Sequence, residues 1–245
     1  MAIKPSLGSA KRPFVDTILS CSALLGAIGP YTEKKNTYDA INGWQPLHPA
    51  QARRVVGLSF VIMVSAWEEF VQSAFIRYMA GGISDTGYAP TLQIGPCKNM
   101  VHAGQVLTQN SKFDFDSSYI TWSSWKNVVD RAKIFFKDGK PFASIDNARK
   151  ERLKDAFIIR NRVAHLSGKC RAEFVEVAKK HLKVSKLRRG FDVGELLLAP
   201  PKLFGPQCER DIYFAAYMDL FMELADVIAP ERPLIAEKYI AGIPK

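Results

Sequence analysis

A chain of 245 residues, 47% hydrophobic and 24% charged, is long enough to bury a sizeable core and too apolar to stay disordered. Its most apolar runs, Thr17 to Ile28 and Val55 to Ala66, fall short of the roughly 20 apolar residues that a bilayer span needs. The net charge is +10, and the stretch from Arg149 to Arg189 alone holds fourteen Lys and Arg against four Asp and Glu, so the remainder sums to zero. Such a localised basic block is either a solvated helix face or a surface that meets phosphates.

Taken in chain order, the predicted elements are nearly all helices. Val15 to Ile28 has helical apolar spacing and should stop at Gly29-Pro30. A polar connector follows from Tyr31 to Pro49, with a turn at Asn42-Gly43. The strongest segment is Gln51 to Met79, where Val55, Leu58, Ile62, Ser65 and Glu69, with Val61, Val64 and Phe70 on the next row, recur at three and four residues, and Gly81-Gly82 ends it. Residues 81–98 read as a long loop.

Helices are expected near Met100 to Asn110 and Ser123 to Phe136, separated by "FDFDSSYITW", whose alternation suits a short strand. Ser144 or Asp146 can cap a helix running from about Asn147 to Arg160, with Leu153, Phe157 and Ile158 facing inward; whether it continues through His165 is left open, with a boundary near Gly168. A basic helix from Ala172 to Leu187, an irregular stretch bracketed by Gly190 and Pro200-Pro201, and a last amphipathic helix over about Gln207 to Ile228, built on Ile212, Tyr213, Ala216, Leu220, Leu224 and Val227, complete the chain. The expected architecture is all-α: one domain over 1–245, a helical bundle with inserted loops and an insertion at roughly 81–140.

Lys4, Lys11 and Arg12 precede Asp16 without a convincing cleavage site, so no signal peptide and no membrane segment are predicted and the expected location is the cytoplasm. Cys21, Cys97, Cys170 and Cys208 lie far apart, with no C-x-x-C pair and no histidine at finger spacing; this points to free buried thiols, and no metal or cofactor is expected.

The stretch "RNRVAH", residues 160–165, concentrates Arg160, Asn161, Arg162 and one of only four histidines, His165. On a straight helix Arg160 and His165 would lie on flanks about 140° apart, so a bend or a second copy of the motif is needed to gather them into one cleft. A basic helix end favoured by the macrodipole is the plain account of such a pattern. The longer sequence "IIRNRVAHLSG" resembles the R-x(4–6)-H signature of the HEPN superfamily of helical ribonucleases, and "SAWEEFVQSAF" about 90 residues upstream resembles the Trp-Glu helix of its RiboL-PSP type. The resemblance covers roughly residues 50–80 and 145–185.

That resemblance implies a metal-independent endoribonuclease, a toxin or antiviral defence effector with RNA as substrate, acting as a homodimer and possessing an antitoxin or other regulatory protein partner. Its implied catalytic residues are Arg160, His165, Asn161 and Glu68. His165 can exchange a proton near neutrality, Arg160 offers planar paired donors to phosphate oxygens, and Asn161 can bond the phosphate or orient His165. Glu68, after a core Trp67, would hold Arg160 or act on His165; whether Glu68 or Glu69 faces the site stays open. Arg162, Lys169, Arg171 and Lys179 are candidates for the RNA backbone. The alternative is a catalytically silent module of the same fold that binds RNA or nucleotide, or docks a partner protein. His48, His102 and His181 have no partner at a recognisable spacing and are read as surface or satisfied core residues.

Overall fold

A computed structural model describes residues 4–28, 48–117, 120–205 and 208–232. Among these residues the chain is all-α, with helices α1 (Gly8–Ile28), α2 (Pro49–Met79), α3 (Met100–Thr108), α4 (Trp125–Phe135), α5 (Asn147–Ala164), α6 (Gly168–Leu182), α7 (Val193–Leu197) and α8 (Tyr213–Ile228). The expected stop at Gly29-Pro30, most of the polar connector with its Asn42-Gly43 turn, and the expected start of the last helix at Gln207 lie outside the described residues.

The 31-residue α2 is the axis of the fold. Its start is fixed by His48, whose imidazole Nδ1 accepts from the Ala50 N–H at 3.2 Å while the Gln51 side chain accepts from the His48 N–H at 3.3 Å, which satisfies donors that the first turn would leave unpaired. Pro49 sits at the first helical position, where its missing N–H costs nothing. The buried side of α2 is formed by Val56, Phe60, Met63, Val64, Trp67, Phe70 and Val71. The row picked out by apolar spacing is largely the other side: Leu58 and Ile62 are 50% and 53% exposed, and Ser65 and Glu69 are exposed too. Both sides carry aliphatic residues, so spacing alone could not say which one faces the core. The helix as a whole is long and apolar enough to cross a membrane, although its apolar run is short; half of its most apolar window is buried inside the fold.

Trp67 lies at the centre of the core, with ring centroids 5.9 Å from Phe14 of α1, 5.8 Å from Trp125 of α4 and 5.3 Å from Phe221 of α8. Helix α1 begins earlier than expected, at Gly8, and carries Pro13 within it. Its buried Lys11 binds Asp226 and the Ala229 carbonyl, tying α1 to the end of α8. Residues 81–140 contribute to the core, since Trp122, Phe135 and Phe136 close around Phe75 of α2, with Phe142 just beyond them. The "FDFDSSYITW" segment forms no strand among the described residues; it buries Phe113, Ile120 and Trp122 from an irregular backbone, a sequence alternation that serves packing without ladder pairing. The stretch between Gly190 and Pro200 is more regular than expected, because Asp192 and Glu195 form a capping box that starts the short α7. In α8, Val227 is exposed, and Phe214, Tyr217, Phe221 and Ile228 complete the buried face.

Candidate functional site

Helix α5 is started by Asp146, not Ser144: the Asp146 carboxylate accepts from the Arg149 N–H at 2.9 Å. Leu153, Ala156, Phe157 and Ile159 are buried, while Ile158 is only partly so. The helix passes Arg160 and ends at Ala164. His165 is its cap, in extended backbone (φ −130°, ψ 131°), donating its N–H to the Asn161 carbonyl at 2.8 Å. The straight-helix geometry that separates Arg160 from His165 therefore does not apply, because His165 lies past the last helical residue. Ser167 then caps α6 through the Cys170 N–H at 3.2 Å, so the chain turns between two helices within three residues and leaves His165 exposed and Leu166 88% exposed.

Arg160 and Glu68 are brought together. Arg160 Nη2 donates to Glu68 Oε1 at 2.5 Å, and the side chains are only 16% and 12% exposed. Glu69, by contrast, is exposed. Burial pushes the Glu68 carboxyl above the ordinary carboxylate range, and the charge and hydrogen bond of Arg160 offset part of that. The Arg160 Nε is buried without a hydrogen-bond partner. Among the described residues no hydrogen bond or ion pair joins Arg160 to His165, and no side-chain bond fixes Asn161. Arg162 reaches back to the His165 carbonyl at 3.4 Å.

Glycines line the contacts of α2 with α5 and with α7. A Cβ on Gly57 would come within 3.4 Å of Val163, and one on Gly194 would fall 2.2 Å from the Arg53 carbonyl oxygen; only glycine lets the α7 backbone approach α2 that closely. Between α2, α6, α7 and the loop 183–191 this packing leaves a cleft of about 840 Å³, which Arg162, Val163 and Leu166 connect to the motif. Arg171 and Lys179 line it as well. Lys169 does not; it is exposed and 3.9 Å from Glu173. The sequence reading missed Arg53, Arg54, Lys186, Arg188 and Arg189, which also line the cleft. The doublets Arg53-Arg54 and Arg188-Arg189 were the available signal, but they lie about 135 residues apart and only the fold joins them.

The other charged centre is buried. His181 Nε2 lies 3.0 Å from Asp155 Oδ2, Lys180 donates to the same oxygen at 2.9 Å, and Tyr213 donates to the His181 carbonyl at 2.5 Å. Burial by itself would raise Asp155, but its bonds to His181 and Lys180 outweigh that and hold it below the ordinary value. Tyr217, wholly desolvated beside it, is raised well above the usual phenol range. His181 is fully buried with Nδ1 unpartnered. The four cysteines are free, Cys21 and Cys97 buried and Cys170 and Cys208 partly so. No group of three or more metal-ligating side chains occurs among the described residues. No protein-family model matches the chain, and no curated protein or solved structure matches it either.

Proposed function

We propose that the chain is a HEPN-type endoribonuclease that cleaves RNA without metal, through attack of the ribose 2′-hydroxyl on the adjacent phosphate. The observation that supports this reading is the buried Glu68–Arg160 pair, which pins one edge of a guanidinium one turn before the point where α5 ends and exposes His165. Of the four residues that the resemblance names, Glu68 and Arg160 come from distant segments and are paired, while Asn161 and His165 follow Arg160 at the end of α5. In this reading Glu68 orients Arg160, Arg160 stabilises charge on the phosphorane, and His165 transfers the proton. Arg162 and Lys169 flank the motif toward the RNA, with Arg171 further along.

Because Arg160 and His165 are not bonded to each other within one chain, the complete site is assigned to a homodimer in which the two motifs face one another across a two-fold axis. The exposed Leu58, Ile62 and Leu166 provide apolar surface for that contact. The same lack of an Arg160–His165 bond also favours a second reading, a silent module that binds RNA or nucleotide without cutting. A toxin or defence role, with a neutralising partner, belongs to the first reading.

Incubation with labelled RNA in EDTA separates the two. Cleavage should persist, with a 2′,3′-cyclic phosphate on the upstream fragment and a 5′-hydroxyl on the downstream one, and a 2′-deoxy substitution 5′ of the scissile phosphate should abolish the cut. A 5′-phosphate on the downstream fragment would mean that water attacks and would remove His165 and Arg160 from their assigned roles.

A further inference from the structure

A second cleft, of about 470 Å³, lies at the start of α5, walled by that helix, by α8 and by residues 208–210, with Phe204, Ala216 and Leu220 as its apolar lining. Neither Arg160 nor His165 lines it, and Arg152, which does, stands about two turns before Arg160 on α5, so this cleft is separate from the motif. Six of its ten lining residues are charged, three arginines and three carboxylates, and they do not all pair. Arg149 is held by Asp146 at 2.5 Å and by Glu223 at 3.0 Å, and Arg210 binds Asp219 through two nitrogens at 2.6 and 2.9 Å. Two arginines and two carboxylates of the cleft are thereby cancelled. Arg152 and Glu209 remain, and among the described residues neither forms a hydrogen bond or an ion pair.

Arg152 is the more informative of the two. Glu209 is exposed, where water serves a carboxylate well, but Arg152 is partly buried. Its guanidinium carbon stands 4.5 Å from the centre of the Phe204 ring, over its face. That contact holds the cation and consumes none of its N–H donors. The planar donors that match a carboxylate in paired bonds are therefore all still free.

What such a cleft takes follows from its charges. A polyanion is a poor match, because the cleft carries as many carboxylates as cations, and a plain carboxylate would satisfy Arg152 while lying among three acids. A ligand with one carboxylate and one ammonium satisfies both unpaired groups and leaves the cleft neutral, and its carbon skeleton covers the apolar lining. The volume falls within the range of about 300–1,000 Å³ typical of small-molecule sites.

We infer that this cleft is a binding site for a small carboxylate–ammonium zwitterion, a free α-amino acid or a short peptide, with Arg152 donating to the carboxylate and Glu209 accepting from the ammonium. The site stands whether or not the chain cuts RNA.

Thermal melting of the full chain with each of the twenty protein amino acids and with glycyl-leucine, followed by titration calorimetry, tests this. At least one should bind and raise the melting temperature, at least about 10-fold more tightly than its deaminated acid or its decarboxylated amine, each of which forfeits one charge-assisted contact. Tighter binding by the dipeptide names peptides as the source, tighter binding by an amino acid names the free metabolite, and either order supports the zwitterion. E209Q, at an exposed position, should melt as wild type, weaken the amino acid by about 10-fold and bind the deaminated acid no more weakly than wild type; R152Q should weaken both. Cys208 lines the cleft and gives a readout on the wild type that needs no variant to fold. The bound zwitterion should slow its alkylation by iodoacetamide, read by peptide mass spectrometry, and leave Cys170, equally partly buried but outside the cleft, unchanged. Absence of binding by every probe at millimolar concentration, the deaminated acid or the amine binding as tightly as the amino acid, unaltered amino-acid binding by E209Q, or calorimetric binding that leaves Cys208 alkylation unchanged would each overturn the assignment. Loss of RNA cleavage with zwitterion binding intact would count against the nuclease reading alone.

Discussion

The α5–α6 pair carries two histidines in opposite circumstances. At its open end His181 is sealed in the core, bonded to Asp155, with Lys180 and Tyr213 completing the network. At its connecting end the exposed His165 ends a helix five residues after an Arg160 that Glu68 anchors, near a cleft whose cations outnumber their partners. Both ends belong to the same basic block. The difference shows that charge in a sequence does not say how much of it the fold consumes: the Asp155 end uses its charges for its own stability, and the His165 end leaves them for something else.

The comparison breaks most sharply at Asp155. Asp155→Ala should destabilise by about 3–5 kcal/mol, since it strands the buried His181 and part of Lys180, a loss that denaturant melts read directly. The pH dependence follows in sign. A carboxyl held below its unfolded value contributes stability that is present above the ordinary aspartate range near pH 3.9 and is lost as pH falls through the lower folded value. Asp155→Asn should therefore flatten the acid limb of the stability profile, and an unchanged acid limb would show that His181 and Lys180 do not hold the carboxyl down.

At the other end the pattern should reverse. His165→Ala should leave melting within about 0.5 kcal/mol of wild type, as expected for an exposed residue outside a packed feature, while RNA cleavage falls by about 10²-fold or more with loss of proton transfer. A large stability loss at His165 would erase the contrast between the two histidines. Arg160→Lys probes the middle ground: it keeps the charge beside Glu68 and loses the planar donors, so cleavage should fall by at least about 10-fold, and unchanged cleavage with reduced stability would make Arg160 a structural partner of Glu68 and nothing more. The smallest effect concerns assembly. Ile62→Asp should have little influence on monomer stability, because the side chain is half exposed, yet shift sedimentation toward monomer at micromolar concentration; a dimer that resists it would place the interface elsewhere.

Much of this chain was legible one helix at a time. The signals that punctuate helices are local, and Asp146, Gly81 and Gly168 each act within a turn of the element they end or begin, although α6 runs over Gly168–Leu182 rather than the expected Ala172 to Leu187. The all-α class follows from the same periodicity. The basic block and the "RNRVAH" motif could be located, and Trp67 placed in the core, because composition and side-chain volume decide those without a partner.

Tertiary structure alone decided the rest. Which side of α2 is buried was ambiguous, because Leu58 and Ile62 are as apolar as the residues that pack. The choice between Glu68 and Glu69 is a rotation of about 100° about one helix axis, set by where α5 docks. The close approach of α7 to α2 depends on Gly194, whose missing side chain means nothing until the Arg53 backbone lies over it. His181 finds Asp155 from another helix, 26 residues away, and the cleft joins Arg53 and Arg54 to arginines of the distant basic block. Periodicity reports a residue's position relative to its own axis; a charge pair or a cleft depends on the relation between axes, and only packing fixes that.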